Sequence, residues 1–169
     1  MAYDQHIRDA AGQSARCAVV TLSDTRTAET DVSGRRTREL LVEAGHAVTA
    51  YRVIADDGAV LDALLAELIA RADVDVILTN GGTGISRRDA TVPVIERRLA
   101  TPLPGFGELF RMLSWEQVGS GAMLSRALGG VAEGGTLLFA LPGSTKAVEL
   151  GMTRLILPEL GHLLRELRK

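Results

Sequence analysis

The apolar run Val74-Asp75-Val76-Ile77-Leu78 leads straight into Thr79-Asn80-Gly81-Gly82-Thr83-Gly84, followed by Arg87-Arg88-Asp89-Ala90-Thr91. The run is short and β-branched, which reads as a buried parallel strand. Beyond the glycines, Thr91-Val92-Pro93 opens a helical pattern, with Thr91 as the expected N-cap and proline inside the first turn. A strand, a glycine loop and a helix start, in that order, force a sharp turn and leave free N–H groups at the positive end of a helix dipole. That geometry suits anions. The loop matches neither G-x-G-x-x-G nor the nucleotide P-loop. The residues alone leave two readings open, a phosphate cradle and a tight structural turn.

The flanking chain sets the architecture. Arg16–Leu22 is apolar in its middle and reads as a central strand, running into Ser23-Asp24-Thr25. Helical spacing predicts helices over 34–44, closed by Gly45, and over 60–72. Further strands are expected over His46–Ile54, 74–79 and Thr136–Leu141. A helix from Thr91 breaks at Thr101-Pro102, and another begins at Phe106. Gly119–Arg126 reads as a second ligand-facing turn, and Gly129–Gly135 as a short hairpin. The final helix runs to about residue 168, with a kink or break expected at Pro158. Phe106, Phe110 and Trp115 are expected to bundle in the core or at a subunit interface. This alternation predicts an α/β fold: a single three-layer α/β/α domain over 16–169, with a mainly parallel sheet and a short β-hairpin, behind an N-terminal arm of residues 1–15.

Composition excludes several function classes. A formal net charge of −2 argues against a general nucleic-acid or membrane-surface binder. The one cysteine, Cys17, rules out an internal disulfide and sits in an expected strand. His6, His46 and His162 show no metal-ligand spacing. No stretch approaches the ~18 apolar residues of a membrane span, and the polar first residues carry no leader pattern, so a cytoplasmic location is expected.

In a parallel sheet the loops after the strands gather at one edge. Collected there are the carboxylates Asp24, Asp31, Asp56 and Asp89, the hydroxyls of Ser23, Thr83, Ser125 and Ser144, and the glycine amides. Arg87, Arg88, Arg126 and Lys146 are expected nearby. Carboxylates beside a phosphate cradle are what a Mg²⁺-nucleotide reaction requires. Each aspartate has a plainer role as a helix cap; that role is expected of Asp31 and Asp57, and the functional one of Asp56 and Asp89.

Four motifs occur in order: Thr-x-Gly-Gly-Thr-Gly-x-x-x-Arg-Asp-x-Thr (79–91), Pro-Gly-Phe-Gly-Glu-x-x-Arg (104–111), Ser-Arg-Ala (125–127) and Leu-Pro-Gly-Ser-Thr-Lys-Ala (141–147). Together they resemble the MoaB/MogA family of molybdenum cofactor biosynthesis proteins, MoaB most closely, over about residues 16–165. Asn80 departs from that pattern, standing where the family usually has Thr, Leu or another small or apolar residue. The resemblance implies a molybdopterin-binding domain that assembles as a homotrimer, or as a homohexamer built from two trimers. It implies transfer of AMP from Mg-ATP to the terminal phosphate of molybdopterin. By motif it implies Asp56 and Asp89 as catalytic and metal-associated residues. Ser23, Asp24, Gly81, Gly82, Thr83, Gly84, Ser125, Pro142, Gly143 and Ser144 are then expected to bind nucleotide and pterin. The alternative is a non-catalytic molybdopterin-binding module on the same fold.

Overall fold

The computed structural model describes residues 12–86 and 89–169. The expectations for most of the arm, including His6, and for Arg87 and Arg88 lie outside the described residues. Six strands form one sheet: β1 (Arg16–Leu22), β2 (Ala47–Ile54), β3 (Val76–Asn80), β4 (Leu99–Pro102), β5 (Leu128–Ala132) and β6 (Leu137–Leu141), in the order β2-β1-β3-β6-β5-β4. β2, β1, β3 and β6 run parallel, while β5 pairs antiparallel with β6 and β4 antiparallel with β5.

Apolar residues fill both faces of the central strands, because helices cover both faces. Cys17 and Val19 point into one core with Leu78, Phe139 and Leu141; Ala18 and Val20 point into the other with Ile77, Leu138 and Ala140. The first core is closed by α1 (Val32–Glu43), α4 (Pro104–Val118), α5 (Thr145–Gly151) and α6 (Leu157–Leu167), the second by α2 (Gly58–Ile69) and α3 (Thr91–Arg98). The expected three layers are present. The Cys17 thiol is fully buried, and burial pushes its pKa up to about 12, so it serves as a core residue.

Helix ends follow local chemistry. α1 ends in a Schellman arrangement: His46 N–H donates to Leu41 O at 2.9 Å and Gly45 N–H to Val42 O at 3.0 Å, with Gly45 at φ +84°. Asp31 and Asp57 do cap helices, accepting from Gly34 N–H at 3.0 Å and from Ala59 N–H at 2.8 Å. The break at Pro158 takes the form of a π-helical stretch, Met152–Ile156, that lets the proline enter α6 within its first turn.

Four details differ from the sequence reading. Residues 129–135 are not a hairpin by themselves; the hairpin is β5–β6, with the 3₁₀ turn Glu133–Gly135 at its tip. The break after α3 contains an edge strand, β4, whose proline is tolerated because one side is unpaired. Gly119–Leu124 is a 3₁₀ helix. Trp115 is 62% exposed and leaves the aromatic bundle, which is Phe106 packed on Phe139 at 5.0 Å and on Phe110 at 6.4 Å.

Candidate functional site

β1 is followed by β2 on one side, and the chain then crosses to β3 on the other side of β1. The chain reverses its direction of winding at the carboxyl ends of β1 and β3, where open α/β sheets leave a crevice for ligands. Gly81 and Gly82 turn the chain here with φ of +102° and +61°. A methyl group on Gly81 would overlap the Leu22 carbonyl of β1, so this loop is pressed against the neighbouring strand end.

Beside the loop lies an open groove of about 1170 Å³. Of the expected site residues, Gly81–Gly84, Asp89, Ser125, Pro142, Gly143 and Ser144 line it. The apolar Phe110, Val118, Ala122, Leu124 and Leu150 also line it, as do Lys146 and Arg154. Ser23, Asp24 and Asp56 do not line the groove. They lie in the loops after β1 and β2 instead. Asp24 Oδ1 accepts from the Asp56 N–H at 3.1 Å, joining the loops after β1 and β2, and the Ser23 hydroxyl accepts from Arg26 N–H at 3.2 Å to shape its own turn.

The expected helix start is corrected in one respect. Ala90, not Thr91, is the N-cap of α3, and it supplies no side-chain cap. Thr91 is the first helical residue and is fully buried, and its Oγ1 has no hydrogen-bond partner among the described residues. A methyl on Gly82 would overlap that oxygen and lie 2.6 Å from Asp56 Oδ1, so both oxygens converge on the bare Cα of Gly82. Asp89 meets the loop further along, at Gly84. Its Oδ2 accepts from Ser86 N–H at 2.7 Å, and a methyl on Gly84 would fall 2.8 Å from the same atom.

Arg126 was expected as a nearby cation; it acts as a fastener. Its Nε donates to the Thr83 carbonyl at 3.2 Å, and its Nη2 donates to the carbonyls of Gly84 and Asp89. With their carbonyls tied back, these peptides are held in fixed orientations before any ligand arrives.

Sequence reasoning missed a buried polar network beneath the site. Asp31 accepts from Tyr51 OH at 2.7 Å and from Gly34 N–H at 3.0 Å. The Ser33 hydroxyl lies 3.1 Å from Asp31 Oδ1 and 2.8 Å from Asn80 Oδ1, and Asn80 Nδ2 donates to Thr21 Oγ1 at 3.0 Å. The unusual Asn80 therefore serves as a two-sided link at the end of β3. Burial pushes the Asp31 carboxyl upward, but hydrogen bonds from Thr21, Gly34, Tyr51 and Ser33 outweigh it and hold the pKa below its ordinary value. Burial and then the Asp31 hydrogen bond push the Tyr51 phenol up to about 12. The alternating polar residues of Asp31-Val32-Ser33 beside an apolar helix face were the available sequence signal.

The model of a "Probable molybdopterin binding domain" matches residues 18–162. Molybdenum cofactor biosynthesis protein B of Bacillus anthracis is 50% identical over 170 residues, covering 100% of this chain and 99% of that protein. A crystal structure of a molybdenum cofactor biosynthesis protein B superposes with a TM-score of 0.90 at 52% identity, covering 94% of this chain and 98% of that one. The tungsten cofactor synthesizing protein MoaB of Pyrococcus furiosus superposes at 0.84 with 34% identity, covering 94% of this chain and 100% of that one. With its fold, its glycine-loop groove and its full-length likeness to these proteins, the chain belongs to the MoaB/MogA family of molybdenum cofactor biosynthesis proteins.

Proposed function

We propose that the chain is a molybdopterin adenylyltransferase. A terminal phosphate oxygen of molybdopterin attacks the α-phosphorus of ATP, the bond to the bridging oxygen breaks, and pyrophosphate leaves. The observation that carries this reading is the groove itself. At about 1170 Å³ it exceeds a typical single-ligand pocket, and the glycine loop shares its lining with apolar side chains. We assign the phosphates to the Gly81–Gly84 amides and the heterocycles to the apolar side chains. Such a transfer needs positioning and charge stabilisation rather than covalent help. The fastening of the loop by Arg126 supplies the first without reorganisation during the reaction.

The residues present also fit Mg²⁺. Asp56 Oδ1 and the buried Thr91 Oγ1 are hard oxygen donors converging on one spot. Among the described residues no group of three or more His, Cys, Asp or Glu could hold a metal, so phosphate oxygens and water would complete the shell, as is usual for magnesium. When bound, the ion would neutralise phosphate charge, and we assign Asp56 and Asp89 to it.

Single-turnover conversion of molybdopterin with ATP and Mg²⁺ tests the reading. The wild-type chain is expected to form adenylyl-molybdopterin, and Asp89→Ala to lower the rate at least about 100-fold. Pterin binding without product would establish the second reading, a non-catalytic binding module, which the position of Ser23, Asp24 and Asp56 outside the groove lining favours. Absence of pterin binding would remove both.

We also assign the chain to a homotrimer, or a hexamer of two trimers, in the cytoplasm. The surface suited to assembly is not the expected bundle of Phe106, Phe110 and Trp115 as a whole, since Phe110 is buried. It is the exposed set Leu109, Met112, Trp115 and Met123, on α4 and the 3₁₀ helix after it. Light scattering is expected to give a multiple of three chains; the 18.0 kDa mass of a single chain would overturn the assignment.

A further inference from the structure

Arg26 lies in the loop between β1 and α1, outside the groove lining, and matches none of the motifs in the sequence. Its guanidinium nevertheless reaches across the strand ends. Nη1 and Nη2 each donate to the Gly143 carbonyl at 3.2 Å, and Nη1 also donates to Ser33 Oγ at 2.7 Å. Asp31 Oδ1 stands 3.6 Å away as its buried counter-charge. Ser33 in turn reaches Asn80, the residue that precedes the glycine loop. The Gly143 turn touches that loop directly, since a methyl on Gly143 would lie 3.3 Å from Gly81 Cα.

The Gly143 carbonyl and the Ser144 N–H belong to one planar trans peptide and point in opposite directions. A fork that holds the carbonyl toward Arg26 therefore fixes the Ser144 N–H in the opposite sense, at a residue that lines the groove. The Ser144 hydroxyl oxygen already accepts from Ala147 N–H at 3.2 Å as a helix cap. With that oxygen engaged as a cap, the turn can offer an anion the Ser144 N–H and the hydroxyl's own proton.

We propose that Arg26 is a positioning residue that sets the Gly143–Ser144 peptide so that its N–H is presented to a phosphate group in the groove. The proposal rests on the reading of the groove as a phosphate-ligand site. Arginine suits the task because its planar fork gives one carbonyl two donors, which a lysine ammonium does not match.

The test compares wild type, Arg26→Met and Arg26→Lys. The readouts are KM and kcat for AMP transfer to molybdopterin, dissociation constants for molybdopterin by equilibrium dialysis, and melting temperatures. Arg26→Met is expected to raise KM and Kd for molybdopterin about tenfold, the loss of one oriented hydrogen bond, with the effect falling on KM rather than kcat. Arg26→Lys is expected to fold and to recover only part of the affinity; it decides the matter if the methionine variant does not fold. Unaltered KM and Kd in the folded variants would overturn the proposal, as would full recovery by lysine. If the wild type binds molybdopterin but transfers no AMP, the adenylyltransferase reading falls, and the dialysis constants alone decide for or against Arg26. If the wild type binds no molybdopterin, both are overturned.

Discussion

Gly82→Ala is expected to reduce AMP transfer at least about 100-fold while leaving the chain folded. Two effects combine at this position. The backbone sits at φ +61°, where an alanine costs about 1–2 kcal/mol from Cβ–carbonyl crowding. The new methyl would also overlap Thr91 Oγ1 and lie 2.6 Å from Asp56 Oδ1. Thr91 is locked into the first turn of α3, and its oxygen is fully buried, so it has no room to yield. The loop must move instead. A displacement near 1 Å of groups that orient a reacting phosphate is enough for about a hundredfold loss. Because strain is confined to a strand-end loop, the expected loss of stability is only about 1–3 kcal/mol. Gly105→Ala is the matched control, since a methyl there meets nothing within 4 Å. Single-turnover rates and urea unfolding of the two variants give the comparison. A Gly82→Ala chain with wild-type turnover would remove this loop from the reaction.

Asp31→Ala is expected to cost about 3–5 kcal/mol of folding stability, among the largest effects of any single change in the chain. Asp31 is fully buried. Its removal strands the Tyr51 hydroxyl and the Gly34 N–H, takes one acceptor from Thr21 and Ser33, and leaves the Arg26 guanidinium without its counter-charge. Unmet buried donors are the costly part. Asp57→Ala provides the contrast. Asp57 is also an N-cap, accepting from Ala59 and Val60 N–H at 2.8 and 3.0 Å, but it is exposed, and water can replace it for about 1 kcal/mol. Urea midpoints with unchanged slopes would give both values; equal losses at the two caps would refute the network argument.

The sign of the pH dependence follows from the same bonds. The folded-state pKa of Asp31 is depressed below its ordinary 3.8, so its contribution is present above that value and is lost as pH falls through the folded pKa. Asp75 acts in the same direction: hydrogen bonds from Arg16 hold its carboxyl at about 2. Stability is therefore expected to decline between pH 4 and 2, with Asp31→Ala showing a shallower decline than wild type.

Local chemistry was sufficient for much of this molecule. Strands with apolar residues on both faces could only be central strands of a covered parallel sheet. Asp31, Asp57 and Gly45 announced helix ends, because caps satisfy backbone groups within a few residues. The glycines announced a tight turn at the end of β3, because only glycine tolerates the dihedrals of Gly81 and Gly82 and the approach to β1.

What the sequence could not determine were relations between residues distant in the chain. Asp56 and Asp89 were both legible as candidates, yet they meet the loop at different residues, Gly82 and Gly84. Trp115 carries the same apolar signal as Phe110, but its position on α4 turns it outward. The β5–β6 pairing turned a supposed local hairpin into the sheet's antiparallel edge. Arg26 and Asn80 acquire their roles only when the ends of β1, β3 and β6 lie side by side, since hydrogen bonds act over about 3 Å and have no sequence period to reveal them. Periodicity and backbone preference specify elements, whereas the geometry of a site is decided by which strand ends the sheet order makes neighbours.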